Sequence, residues 1–162
     1  MNPEKDAIAR LWDEITPKLY GYLVNTLKNP AVADDILQTA WLKAIEALPQ
    51  FHDRGHGFSA WIFSIARNEM RMHWRKQGRE IPYDPEVHDL PEEEREKKDI
   101  FIEQLLQALP EEDRELVRLR YIADLPFNKI AKLLELNPVT VRVQMHRTLA
   151  RARDILNRKI YE

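Results

Sequence analysis

The chain has no cysteine, which excludes disulfides and thiolate metal ligands and is compatible with a reducing cytosol. Glycine is scarce, with four in 162 residues at positions 21, 55, 57 and 78. Alternation of β-branched residues is sustained nowhere, which argues against a sheet protein. No stretch approaches the ~20 apolar residues that a membrane-spanning helix requires. The opening "MNPEKDAIARLWDEI" is charged and amphipathic, without the apolar core of a secretory leader. These absences predict a soluble cytoplasmic protein with no membrane insertion. No Ser/His/Asp cluster, phosphate-cradling loop or paired-carboxylate pocket emerges, so no enzyme and no cofactor are expected. His52, Asp53 and His56 come nearest to a metal site, but three candidate ligands with no second cluster fall short of one.

What is present is charge in blocks. Hydrophobic residues make up 44% of the chain, enough for a packed core, and charged residues 32%, which suits a solvated helical surface. The net charge of -2 argues against indiscriminate nucleic-acid binding, yet it hides a pattern. Residues 66–79 hold Arg67, Arg71, Arg75, Lys76 and Arg79 against Glu69 alone, a local net of +4. Residues 80–99 hold nine acids and three bases, a net of -6, and residues 138–162 return to +4. Two basic patches flank an acidic bridge, and such segregation says more about partners than the sum does.

Apolar residues recur at three and four, so the expected class is all-α. Ile8, Leu11, Trp12 and Ile15 form a first stripe; Thr16-Pro17 then reads as a cap that restarts a helix through Leu19, Tyr22, Leu23 and Leu27. Asn29-Pro30 repeats that signal ahead of Ala33, Ile36, Leu37, Ala40, Trp41, Ala44 and Leu48. "PQFHDRGHG" breaks the pattern, and "FSAWIFSIARNEMRMHWRKQGR" follows, apolar at first and basic from Arg67 onward. Residues 80–99, with three prolines and no clean period, read as a flexible acidic linker. Helical rhythm returns from Ile100, and Pro110 opens a further helix. Two small helical domains, residues 1–79 and 100–162, are therefore expected.

"LPFNKIAKLLELNPVTVRVQMHRTLARAR" has the layout of a helix-turn-helix. Phe127, Ile130, Ala131 and Leu134 face inward on the first helix; Asn137-Pro138 starts the second. At 100° per residue, Val141, Met145, Thr148, Leu149, Ala152 and Leu156 share an apolar face. Thr140, Gln144, Arg147 and Arg151 cluster beside it, while Arg142, His146 and Arg153 lie on the other flank. A three-helix bundle with a solvated basic helix gives the same pattern, and the turn Glu135-Leu136-Asn137 lacks the glycine often found there.

The carboxy-terminal half, from "LPEEDRELVRLRY" through "VTVRVQMHRTLARAR", resembles region 4 of the extracytoplasmic-function (ECF) sigma factors of bacterial RNA polymerase. "NPAVADDILQTAWLKAI" and "FSAWIFSIARNEMRMHWRK" resemble region 2 of the same family, in the right order and at the right separation. The resemblance implies that Asp35, Gln38 and Trp41 meet the clamp helices of the largest polymerase subunit, with region 4 reaching the flap; for Trp41, core packing is the competing reading. It implies that "HDRGHG", with Arg54, catches a flipped base of the minus-ten element. It places Arg67, Asn68, Arg71, Trp74, Arg75 and Lys76 on promoter DNA, with Trp74 either stacking on a melted base or packing on the preceding helix. In region 4 it points to Arg142, Val143 and Arg147 as readers of the minus-thirty-five element. Val143 and Gln144 depart from common family usage, as do Glu69 and Met72. An anti-sigma protein is an implied partner. A sigma mimic that titrates such a protein, and an ordinary helix-turn-helix regulator, are the alternatives. A compact state in which the acidic linker shields the arginines is also expected.

Overall fold

The computed structural model describes residues 2–55, 57–78 and 97–161, with side chains of the last range from 102 onward. Seven α-helices and no strands occur among these residues: α1 (Pro3–Leu27), α2 (Pro30–Ala47), α3 (Gly57–Lys76), α4 (Lys97–Ala108), α5 (Glu111–Val117), α6 (Phe127–Leu134) and α7 (Pro138–Tyr161). The all-α expectation holds. The bulk of the expected linker lies outside the described residues, and α4 begins at Lys97, within its last three positions.

Two start signals behave as read. The Asn29 side chain accepts from Val32 N at 3.2 Å ahead of Pro30, and Asn137 accepts from Val139 N at 2.9 Å ahead of Pro138. The third does not. Thr16-Pro17 opens no helix, because α1 runs unbroken from Pro3 to Leu27 with Pro17 inside it. Proline removes one hydrogen bond and crowds the preceding turn. Ile15, Leu19 and Leu23, all buried on the same side, hold the two halves of α1 in one line against that cost.

The first three helices pack around Tyr22, Trp41, Ile62 and Phe63. Trp41, 2% exposed, is the hub of an aromatic chain: its ring lies 4.8 Å from Trp12 and 5.8 Å from Phe58, and Phe58 in turn meets Trp61 and Phe51. Its packing reading is the one the structure supports. Glu69, an unusual residue for its place, pairs with Lys43 and so ties α3 to α2.

The carboxy-terminal half packs α5, α6 and α7 around Leu116, Leu119, Ile130, Val141 and Met145. After α5 the backbone widens into one π-helical stretch, Arg118–Ile122. In the helix-turn-helix, Glu135 takes the left-handed conformation (φ 56°) that glycine usually supplies. Leu136 N donates to Ala131 O at 2.8 Å, which closes α6 despite the missing glycine. Leu149 departs from the expected apolar face: it sits at the edge of the stripe and is 44% exposed.

The halves do not stand apart. Leu116, Leu119 and Ala123 join one continuous apolar cluster with Leu19, Tyr22 and Met70. A Cβ at Gly21 would lie 3.3 Å from Ile122 Cγ2, so the small residue lets the π-helical stretch press onto α1. Truncating Trp41 to alanine is expected to cost about 3–5 kcal/mol of unfolding free energy, and Asn137→Ala about 1 kcal/mol. Urea titration followed by circular dichroism measures both.

Candidate nucleic-acid interface

The loop from Phe51 to the start of α3 rests on the aromatic chain through Phe51, whose ring stacks on Trp61 at 4.6 Å. Asp53 shapes it. Its carboxylate oxygen accepts from Gly55 N (2.9 Å) and Gly57 N (3.1 Å), and both glycines adopt positive φ. Such a carboxylate at a helix entrance satisfies backbone N–H groups that have no partner in the helix. Arg54 is left exposed at the loop's tip. His52 is exposed as well, and His56 lies outside the described residues.

α3 changes character for a geometric reason. Ala60, Ile62, Phe63, Ala66 and Met70 face the core, whereas Asn68, Arg71, Arg75 and Lys76 are exposed along its second half. Arg71 and Arg75, one turn apart, form a ridge with no ion pair among the described residues. Trp74 is half-buried against the apolar cluster, so packing is established for it. It also lines a 420 Å³ cleft, together with Arg71 and with Gln144 of α7. The two expected reading surfaces thus face a common cleft.

Arg67 differs from the rest of the ridge. Its guanidinium lies 3.3 Å (Nε) from Glu115 Oε1, and its Nη1 donates to Leu133 O at 3.0 Å. Glu115 also accepts from the Tyr22 hydroxyl at 2.5 Å and sits 3.8 Å from Arg118, which donates to Asn25 Oδ1 at 2.9 Å. Burial, with Glu115 adding to it, pushes the Tyr22 hydroxyl well above its ordinary pKa; Arg67 partly opposes the shift. Neither Glu115 nor Tyr22 stands out in the sequence as a site residue. Glu115 reads there as one of several acids at a helix start, and nothing local links it to a tyrosine 93 positions earlier.

On α7, Thr140, Arg142, Val143 and Arg147 are exposed, and Gln144 is half-buried at the cleft. Arg151 is exposed but its guanidinium is paired with Asp113 of α5, which braces α7 against its own bundle. On α2, Asp35 and Gln38 are exposed on the face opposite the core, with Leu42 (61% exposed) one turn beyond. Trp41 lies on the buried face and is separated from them.

The comparisons with known proteins agree with this geometry. Residues 11–80 match the model of sigma-70 region 2, and residues 102–151 match that of sigma-70 region 4. The ECF RNA polymerase sigma factor SigD of Mycobacterium tuberculosis is 30% identical over 166 residues, covering 93% of this chain and 77% of that protein. BldN of Streptomyces coelicolor, also an ECF RNA polymerase sigma factor, is 28% identical, covering 91% of this chain and 61% of that protein. The fold matches that of the sigma factor RpoE from Bartonella quintana, solved with the anti-sigma factor NepR, at a TM-score of 0.74 and 23% identity, over 94% of this chain and 98% of that one. The chain belongs to the ECF sigma factors of RNA polymerase. An unrelated helix-turn-helix regulator would leave the match to region 2 without an explanation. Sigma factors are transcription initiation factors and not classical enzymes.

The raised Tyr22 pKa has a signed consequence. The folded state favours the protonated hydroxyl, so this contribution is complete below about pH 10, the ordinary tyrosine value, and is lost as pH rises towards the folded value. Unfolding free energy is expected to fall above that pH, and Tyr22→Phe to flatten the fall while lowering neutral-pH stability by about 1–2 kcal/mol. Denaturant titrations across the alkaline range test both.

Proposed function

We propose that the chain acts in the bacterial cytoplasm as a promoter-specificity subunit, with region 2 spanning residues 1–79, region 4 spanning 100–162 and an acidic connection between them. The exposed Asp35 and Gln38 on α2 are the surface for the clamp helices of the largest polymerase subunit, and region 4 meets the flap. Asn68, Arg71, Arg75 and Lys76 on α3, with Arg54 on the loop, take the melted minus-ten strand. Asn68 offers an amide to a base edge, and the cations neutralise phosphates. Thr140, Arg142, Val143, Gln144 and Arg147 on α7 read the minus-thirty-five element; Val143 has the apolar surface to meet a thymine methyl. An anti-sigma protein is a fitting regulator, as the solved relative was captured with one.

The observation that carries this reading is the exposed Arg71–Arg75 ridge at the end of a helix whose other half is core. Arg75 and Lys76 in the last turn gain a little from the helix dipole, but Arg71 lies a turn further in, and a polyanion uses the whole row. Arg67 belongs to the same ridge by position and contacts DNA only when released from Glu115. Arg151 contributes through its brace to Asp113, and Trp74 through packing at the cleft.

Reconstitution with core polymerase tests the proposal. Arg71→Ala with Arg75→Ala is expected to lower promoter-specific transcript yield about tenfold or more, and to make the logarithmic salt dependence of DNA binding shallower by about 0.7–0.9 for each phosphate no longer neutralised. Unchanged transcription and an unchanged salt slope would sink it. Asp35→Ala with Gln38→Ala is expected to abolish co-elution with core polymerase while leaving the thermal unfolding midpoint in place.

A further inference from the structure

The 420 Å³ cleft bounded by α1, α3, α5 and α7 has a floor whose polar groups are already answered. Thr26 Oγ1 donates to Tyr22 O at 2.8 Å, and the Tyr22 hydroxyl donates to Glu115. Arg67 is held by Glu115 and Leu133 O, and Glu111 is held by Arg118. Buried Met70 and Leu116 complete the floor with apolar surface, and Trp74, Leu134 and Leu136 line the cleft above them. Cavities of about 300–1,000 Å³, mostly apolar with a few convergent polar groups, are the usual form of small-molecule sites.

Three polar side chains of the lining are left over. Arg71, Glu112 and Gln144 have no hydrogen bond or ion pair among the described residues. Arg71 and Glu112 are exposed, whereas Gln144 is half-buried, where an amide without a partner is costly.

These groups define a ligand by what each of them can do. Trp74 offers its ring to a planar aromatic. Arg71 is a cation with forked donors suited to phosphate. The Glu112 carboxylate only accepts, so it calls for an edge with adjacent donors, and the Gln144 amide can donate to an acceptor beside them. Guanine has that edge: O6 accepts, while N1–H and the 2-amino group donate. Adenine sets a single amino group beside a bare ring nitrogen, which a carboxylate repels. Phosphate alone answers Arg71 but brings nothing for Glu112, and like charges so placed are unfavourable.

We propose that this cleft binds a guanine mononucleotide, with the base on Trp74, its donor edge on Glu112, O6 at Gln144 and the phosphate on Arg71. Leu134 and Leu136 give the base apolar surface from which water is expelled. A regulatory consequence follows, and it rests on the promoter reading given above. Arg71 and Gln144 serve both ligands, so a bound nucleotide and promoter DNA exclude each other at these side chains.

Isothermal titration of the full chain with GMP, inosine monophosphate, AMP and inorganic phosphate tests the site. Inosine monophosphate differs from GMP only in lacking the 2-amino group. GMP is expected to bind about tenfold more tightly than inosine monophosphate, the size of one hydrogen bond to a charged acceptor, and more tightly still than AMP or phosphate. Glu112→Gln is expected to erase the preference for GMP over inosine monophosphate, since the two changes remove the same contact. Glu112 is exposed and unpaired among the described residues, so this variant should keep the parent's thermal midpoint. In a second arm, GMP at about ten times its own Kd is expected to weaken binding of a fluorescent single-stranded minus-ten oligonucleotide about tenfold, by mass action.

Absence of GMP binding overturns the proposal. So does equal affinity for GMP and either analogue, a preference that survives Glu112→Gln, or binding matched by phosphate alone. Oligonucleotide affinity untouched by bound GMP overturns the mutual exclusion and leaves the nucleotide site standing. A chain that binds GMP but no oligonucleotide overturns the promoter reading of α3 and not the site.

Discussion

A desolvated carboxylate cannot be left alone, and the arrangement of this molecule turns on how Glu115 is answered. Its side chain is 16% exposed, and it is met by Tyr22 and Arg67 from one half and by Arg118 from its own. Removing one member of such a buried ionic group typically costs about 3–5 kcal/mol, because the remaining charge is left without a partner. Arg118 extends the group to Glu111 at 3.0 Å and to Asn25. The relative placement of the two helical bundles is thereby fixed in rotation as well as distance: a polar network tolerates misalignment far less than an apolar face does. The contact of Ile122 with Gly21 supplies the close approach that brings these groups within reach.

Within the first bundle the determining element is different. The chain of rings from Trp12 through Trp41 and Phe58 to Trp61 and Phe51 carries the loop on a rigid floor, while Asp53 organises its backbone from above. The role proposed for this loop, receiving an extruded base, calls for polar groups held in place, and a rigid floor with an organised backbone above it suits that role. The change of character along α3 is the same principle in a helix. Its first half packs on α2 and meets Tyr22 of α1 through Phe63, and the second half keeps Met70 inward while its outer side carries cations to solvent or a polyanion.

The sequence carried most of the architecture. Helix order followed from spacing, and the two asparagine-proline starts were legible because a cap is a local interaction between neighbours. Thr16-Pro17 misled for the opposite reason: local chemistry favoured a break, and burial of Ile15, Leu19 and Leu23 overrode it. Leu149 was placed on the apolar face by angle alone, but how far a stripe is buried depends on how much of α7 the neighbouring helices cover. Trp41, carried by the resemblance to the polymerase surface, belongs to the core. Ala33, Ala40 and Ala44 are buried on α2 with it, and side chains that small leave space for an indole ring. That is a matter of packing, which spacing along one helix leaves open.

Determined by the sequence alone were the elements and their chemistry: the helical stripes, two cationic surfaces, an acid-and-amide face at Asp35 and Gln38, and a polar loop after Phe51. These depend on interactions within a few residues, and periodicity reports them directly. Only the tertiary structure decided which cations are available. Among the described residues Arg71 and Arg75 are exposed and have no ion pair, Arg67 is held by Glu115, and Arg151 is held by Asp113. The reason is physical: a charge's partner is set by proximity in space, and groups far apart in the chain become neighbours only after the apolar faces have chosen how to pack.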